Sequence, residues 1–128
     1  MMRRAWTVAA TTVVLAVMSV GLFLPSGTAS PSTEAATTRV SVKMSEFKFA
    51  LSKKRIPTGT AIFGVSNIGH SSHDFKIKGK KTRVLIHGES QPLRVTFAKK
   101  GRYVFVCTLP GHAAAGMKGT LTVTAPAS

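Results

Sequence analysis

Hydrophobic and polar residues alternate along most of the chain after residue 38, a pattern typical of β-strands that bury one face. The alternation begins with Val40, Val42 and Met44. It continues at positions 47, 49 and 51 after a one-residue shift at Ser45-Glu46. We interpret that shift as a β-bulge or a strand switch.

Later segments repeat this two-residue period and are separated by turns rich in Gly, Pro and Lys. We predict strands over 60–67, 73–77, 84–86, 93–97, 103–107 and 121–123. Roughly seven short strands with turn signals every 8–12 residues, and no helical period after residue 30, indicate an all-β fold. The predicted architecture is an antiparallel β-sandwich.

The first 30 residues have a different character. Arg3-Arg4 precede an uncharged apolar run over 5–24, and Gly27 and Ala29 supply small residues suited to cleavage. This predicts a signal peptide, or an uncleaved membrane anchor, since the run is just long enough to span a bilayer. Residues 31–38 are predicted to be a flexible tether, and residues 39–128 the folded domain. On either account the domain is exported to the periplasm or the cell exterior.

The chain is strongly basic, with 18 Lys and Arg against 4 Asp and Glu and a formal net charge of +14. Such a charge favours acidic partners or an anionic membrane surface, although it is also compatible with solubility alone. Nucleic acid is not expected as a partner. Exported proteins seldom meet it, and the chain has neither a basic helical face nor an aromatic-rich basic platform.

The candidate chemistry lies in one segment near the C-terminus. Cys107, the only cysteine, is followed by His112 and Met117 at five-residue intervals. A thiolate and a thioether favour copper(I), imidazole suits both copper states, and a His₂Cys set with a weak axial Met is the blue-copper arrangement. His73 is the best candidate for the second imidazole. His70 and His87 are predicted to be solvated surface residues.

Three other interpretations of Cys107 compete with copper. A lone Cys is most often a small buried hydrophobe. A catalytic Cys–His pair is a second possibility, but no orienting carboxylate or oxyanion hole is evident. Structural zinc is a third, but it prefers two to four cysteines or a Cys₂His₂ set. A free thiol in an oxidising compartment is a liability unless it is buried or metal-bound, which favours the copper interpretation.

With these residues the chain resembles the cupredoxins, the small blue-copper proteins of the plastocyanin and azurin kind, over residues 39–124. The resemblance implies a Greek-key sandwich and one mononuclear type 1 copper, with His73, Cys107 and His112 as equatorial ligands and Met117 as the axial ligand. The Cys-x₄-His-x₄-Met spacing is similar to that of rusticyanin or auracyanin. Many members carry Asn after the first His, where this chain has Asp74.

The resemblance implies an electron-transfer protein that cycles Cu(II)/Cu(I) between extracytoplasmic redox partners, which the basic charge predicts to be acidic. We expect a monomer and no enzymatic activity, because multicopper oxidases and nitrite reductases need more histidines and more than one such domain. The alternative is a periplasmic or secreted copper chaperone or copper-resistance protein. The electron path is expected at His112, whose neighbours in the loop are apolar and uncharged.

Overall fold

The computed structural model describes residues 36–126, together with the isolated positions 10, 12, 21 and 27. Apart from those isolated positions, the predicted signal or anchor segment lies outside the described residues, as does most of the predicted tether. No described residue belongs to a helix long and apolar enough to cross a membrane. The chain divides into two units, Met1–Ser32 and Thr33–Ser128, and the second contains all the strands below.

Nine strands make up this unit within the described range, and the first begins one residue before the predicted domain start. They are β1 (Thr38–Ser45), β2 (Lys48–Leu51), β3 (Arg55–Pro57), β4 (Gly59–Asn67), β5 (Lys76–Ile77), β6 (Lys80–Lys81), β7 (Ser90–Phe97), β8 (Gly101–Val106) and β9 (Lys118–Thr124).

The strands form two sheets, with the order β2-β1-β4-β7 in the first and β3-β9-β8-β5-β6 in the second. The pairs β1–β4 and β3–β9 are parallel, and the other pairs are antiparallel. The predicted all-β sandwich is confirmed, with these two parallel pairs in addition to the antiparallel pairing that was expected.

The core lies between the sheets, where the alternating residues of each strand point inward. In β4 and β7 every second residue is buried, which is the pattern that the sequence predicted. Aromatic rings fill the centre: Phe63 and Phe75 have ring centroids 5.4 Å apart, and Phe75 and Phe105 have centroids 5.7 Å apart. Such contacts add to the free energy gained from burying the rings.

Of the two interpretations of the shift at Ser45-Glu46, the β-bulge is wrong and the change of strand is confirmed, because Glu46 and Phe47 form a two-residue turn that joins β1 to β2. The alternation resumes after this turn on the neighbouring antiparallel strand. The one-residue shift in the hydrophobic alternation is therefore caused by a β-hairpin.

The predicted strands over 84–86 and from position 73 are also wrong in extent. Leu85 makes only an isolated bridge with His73, and the regular strand begins at Lys76. A buried side chain replaces the missing ladder: Asn67 Nδ2 donates to Ser71 O at 2.8 Å and to Leu85 O at 2.7 Å. Because an amide side chain satisfies both carbonyls, these segments need no strand neighbour.

One end of the sandwich collects the ends of β1, β4 and β8 and the beginnings of β2, β7 and β9. We call this end the metal pole. It comprises the turn at 46–47 and three loops, over 68–75, 82–89 and 107–117.

Candidate metal centre

Cys107 directly follows β8, and its side chain is buried. The loop after it is closed by backbone hydrogen bonds, from Cys107 N to Met117 O at 3.1 Å and from Met117 N to His112 O at 3.0 Å. Gly111 and Gly116 have φ angles of 81° and 111°, in the region that favours glycine. These turns bring Cys107, His112 and Met117 to the same end of the sandwich.

Three potential metal-binding atoms meet at the metal pole. His73 Nδ1 lies 3.2 Å from His112 Nδ1, which in turn lies 3.5 Å from Cys107 Sγ. All three atoms lie within 4.8 Å of one another. Ligands held at about 2 Å in a plane around one metal ion are roughly 3.5 Å apart, so this spacing fits a single ion. One thiolate with two imidazoles is a donor set that suits copper.

His73 is fully buried and is held by its backbone. His73 N donates to Leu85 O at 3.1 Å, and Leu85 N donates to His73 O at 2.8 Å. This reciprocal pair fixes the start of the imidazole side chain, so the position of the ring does not depend on a flexible loop.

The outer nitrogen of the same ring faces Glu46, a residue that the sequence analysis did not single out. Glu46 Oε1 lies 3.3 Å from His73 Nε2 and accepts a hydrogen bond from Ser71 N at 2.6 Å. The Ser71 bond is the main cause that lowers the pKa of Glu46 to about 2. An ionised carboxylate only accepts hydrogen bonds, so Nε2 carries the proton and Nδ1 keeps its lone pair for a metal.

A glycine makes room for this carboxylate. A Cβ atom at Gly69 would lie 2.6 Å from Glu46 Oε1 and 2.9 Å from the Cα atom of Ser45. Any larger residue at position 69 would therefore displace the turn that carries Glu46. The glycine and the carboxylate form one structural unit behind His73.

Phe47, the next residue of the turn, packs against both histidines. Its ring is edge-on to His112 at a centroid distance of 5.0 Å and to His73 at 6.4 Å. Phe47 is 40 % exposed, so its outer side faces solvent. Phe47 therefore covers the two imidazoles and extends the apolar surface around His112.

A second carboxylate joins the His73 segment to the loop of Cys107. Asp74 is buried, and its Oδ1 accepts a hydrogen bond from Thr108 N at 2.6 Å. The Thr108 hydroxyl donates to Oδ2 of the same carboxylate. Both the backbone and the side chain of Thr108 are therefore bound by the one carboxylate of Asp74.

Burial raises the pKa of the Cys107 thiol above its ordinary value. A metal binds the thiolate, so metal binding to this protein must displace the thiol proton. Met117 is fully buried and joined to Cys107 through the backbone. Its role as the axial ligand stays a prediction.

The charge of the protein is unevenly distributed. Residues 67–75, 84–93 and 103–117 contain no Lys or Arg, although they include every candidate ligand. Their carboxylates are Asp74 and Glu89, and Glu89 forms an ion pair with Arg83 at 2.8 Å. These three ranges are therefore uncharged or acidic, and Arg83, the basic residue of the 82–89 loop, is paired with Glu89, whereas the remainder of the domain is basic.

The two remaining histidines lie outside the donor cluster. His70 and His87 are both exposed, as expected. Their rings stack at a centroid distance of 5.9 Å, and His87 Nδ1 donates to Gly69 O at 2.8 Å, so His87 is more ordered than a solvated turn residue.

A buried cysteine sulfur and two imidazoles at one end of a β-sandwich fit a mononuclear copper site of the cupredoxin type. The family model of copper-binding proteins of the plastocyanin/azurin family matches residues 36–124, and the chain belongs to this family. The predicted family and its single type 1 copper are thereby confirmed.

Two curated relatives match parts of the chain. A segment of 43 residues is 51% identical to auracyanin-B of Chloroflexus aurantiacus and covers 34% of this chain and 18% of that protein. A segment of 73 residues is 38% identical to the copper-resistant cuproprotein CopI of Pseudomonas aeruginosa and covers 52% of this chain and 40% of that protein. The matches span less than half of either relative.

Among solved structures, the dithionite-reduced auracyanin from Roseiflexus castenholzii superposes with a TM-score of 0.60 and 28% sequence identity. The superposition covers 70% of this chain and 98% of that one. The likeness to auracyanin that the Cys-x₄-His-x₄-Met spacing indicated agrees with these matches.

Proposed function

We propose that the protein carries single electrons between extracytoplasmic redox partners. When bound, copper supplies a one-electron Cu(II)/Cu(I) couple to a donor set of His73, Cys107, His112 and axial Met117. The protein's part is to hold these side chains in one arrangement for both oxidation states, and to bring one ligand close to the surface. We propose no reaction chemistry beyond this transfer.

The observation that carries the proposal is the preassembly of the donor atoms. The three atoms lie within 4.8 Å of one another, and the two histidines and the cysteine are held by separate contacts. Leu85 holds the backbone of His73, and Asp74 ties its segment to the Cys107 loop through Thr108. A rigid site keeps the structural change between oxidation states small, which favours fast electron exchange.

We propose that electrons pass through His112. Its ring is partly exposed, whereas His73 is fully buried. Pro110, Ala114 and Phe47 are exposed around it and carry no charge. This surface suits brief docking, since transient redox encounters use small interfaces.

The self-exchange of electrons between two copies tests this route without knowledge of the partner. Ala114→Glu places a charge beside His112, and it should slow self-exchange because two copies must bring these faces together. Ala98→Glu makes the same charge change at an exposed position beyond the end of β7, and it should leave the rate equal or slightly higher. Equal rates for both variants would contradict the route through His112.

We also propose that the redox partner is acidic. Anionic reagents should react faster than cationic ones of similar driving force, since the protein carries a large positive charge. Salt screens charges beyond about 8 Å at physiological ionic strength, so the preference should shrink as salt is added. A preference that is independent of salt would contradict steering by charge.

Copper delivery is a second candidate function, and the similarity to a copper-resistant cuproprotein favours it. The two functions differ in what leaves the protein. An electron carrier should show a reversible one-electron wave and keep its copper in both states when challenged with a copper(I) chelator. Rapid loss of the ion from the reduced form to the chelator would favour delivery and contradict the carrier proposal.

We propose an extracytoplasmic location, either periplasmic or extracellular, and a monomeric state. The location is supported by the predicted export segment. Fractionation of cells, followed by gel filtration of the released protein, tests both statements. Recovery from the cytoplasm, or elution as a stable dimer, would contradict them.

A further inference from the structure

A cavity that is open to solvent lies at the edge of the sandwich where β6 and β7 adjoin. These strands are the edge strands of their sheets, and the cavity has a volume of about 410 Å³. Lys78, Lys80 and Arg94 line it, together with Val95 and Thr96. Three of its five lining side chains are therefore cationic, and none is acidic. The metal centre makes no use of this cavity.

Lys78 is held in place at the edge of the cavity. It occupies the β5–β6 turn with a φ of 48°, which a non-glycine residue adopts only rarely. Its Nζ donates to Thr96 O at 2.6 Å and lies 5.8 Å from the centre of the Phe97 ring. This ammonium group therefore remains at the cavity, whereas most surface lysines move freely in solvent.

The positive charge at the cavity is not neutralised by the protein. The carboxylates within residues 36–126 are engaged elsewhere: Glu46 contacts His73, Asp74 contacts Thr108, and Glu89 pairs with Arg83. In that part of the chain, none of the three cations at the cavity has an ion-pair partner. An anion bound there would relieve their mutual repulsion. Lysine and the arginine fork are the side chains that best match phosphate oxygens.

The basic surface continues beyond the cavity at the end of the sandwich opposite the metal pole. β7 runs away from that pole and ends at Phe97, and the turn that follows contains Lys99 and Lys100. Lys99 O accepts a hydrogen bond from the Tyr103 hydroxyl at 2.6 Å, which fixes this turn. A surface of this kind is larger than a single phosphate requires, and it fits an extended array of anions.

We propose that this cavity binds the headgroup phosphate of an anionic phospholipid, with Lys99 and Lys100 in contact with neighbouring headgroups. The membrane would then face the basic end, and His112 at the opposite pole would stay free for a redox partner. The proposed lipid surface is the anionic membrane surface that the basic charge of the chain predicts. Lipid binding at this cavity does not depend on electron transfer.

Binding of the full chain to vesicles tests the proposal. The quantity of interest is the ratio of partition coefficients for phosphatidylcholine vesicles with and without phosphatidylglycerol. This ratio cancels the apolar contribution of the N-terminal segment, and the charge of Arg3-Arg4 is the same in the parent and the variants. Each basic residue near an anionic surface strengthens binding by about fivefold. The double variant Lys80→Gln/Arg94→Gln, which keeps the bond from Lys78 to Thr96, should lower the ratio by about tenfold or more.

The control is Lys43→Gln/Lys48→Gln, which removes the same charge from β2, the opposite edge strand of the first sheet, and from its neighbour β1. This variant should keep most of the preference for anionic vesicles. Equal losses in the two variants would show that net charge alone is responsible and would overturn the proposal. Saturable binding of inorganic phosphate at the cavity, seen by NMR without any preference for anionic vesicles, would overturn the assignment to a lipid.

Discussion

Glu46 Oε1 lies 3.3 Å from His73 Nε2, on the side of the imidazole ring away from the Nδ1 atom that faces His112. The carboxylate therefore contacts a predicted copper ligand without joining the donor cluster. It fixes the proton of the His73 ring on Nε2. It also places a negative charge behind His73, separated from the donor cluster by the width of the imidazole ring. Both effects stabilise the more highly charged Cu(II) state.

Replacing Glu46 with Gln should therefore raise the reduction potential. Gln keeps an oxygen that can accept the bonds from His73 and Ser71, so the geometry should survive while the charge is lost. Voltammetry of the copper-loaded variant measures the shift. Glu89→Gln is the matched control, because it removes the same charge from a pair with Arg83. Equal shifts in the two variants would contradict a specific effect through His73.

The same carboxylate should contribute to the pH dependence of stability. Its pKa falls from an ordinary value of 4.5 to about 2 in the folded protein. A lowered pKa stabilises the fold above pH 4.5, and this contribution is lost as the pH falls through about 2. The difference in unfolding free energy between the copper-free parent and Glu46→Gln should therefore shrink on acidification. A difference that stays constant from neutral pH down to the acid limit would contradict this assignment.

Asp74→Asn separates the negative charge of Asp74 from its hydrogen bonds to Thr108. The amide oxygen can accept the bond from Thr108 N, and the amide nitrogen can donate to the Thr108 hydroxyl, so the loop should stay in place. Loss of the buried negative charge should raise the potential by on the order of tens of millivolts, with little change in the copper spectrum. Thr108→Val, which removes the hydroxyl but keeps the carboxylate, should not raise it. An unchanged potential in Asp74→Asn would show that this charge does not act on copper.

Met117 is predicted to tune the potential more than it holds the ion, because the axial ligand of such sites is long and weak. Met117→Leu removes a donor that helps Cu(II) more than Cu(I), so the potential should rise by on the order of tens of millivolts. Met117→Gln supplies a harder oxygen donor, so the potential should fall. Voltammetry of both variants decides the matter, and equal potentials in both variants and the parent would remove Met117 from the copper site.

The donor set could be predicted from the sequence because its residue types are rare and regularly spaced. Cys107, His112 and Met117 lie in one loop, and His73 opens an alternating segment. Glu46 and Phe47 could not be predicted in the same way. They are distant from the ligands in sequence, and they reach the site only because the phase shift after Ser45 is a hairpin turn.

The sandwich of two sheets could be predicted from the alternation of hydrophobic and polar residues, which is strong wherever one face of a strand is buried. The segments beside the site were harder to predict, since side chains replace the strand ladder there. Leu85 is a buried residue between two exposed ones, as in a strand. Its carbonyl nevertheless accepts a hydrogen bond from the Asn67 amide, and its bridge to His73 does not continue into a ladder. Sequence periodicity reports the burial of a side chain, and it does not report what satisfies the backbone.

The absorption spectrum of the copper-loaded protein tests the central claim most directly. A short bond between copper and the Cys107 thiolate should give the Cu(II) form an intense absorption in the red, which ascorbate should bleach. Cys107→Ser should abolish this absorption while the β-sandwich remains folded by circular dichroism. A colourless Cu(II) form of the parent, or a Cys107→Ser variant with the same spectrum, would contradict a blue-copper electron carrier.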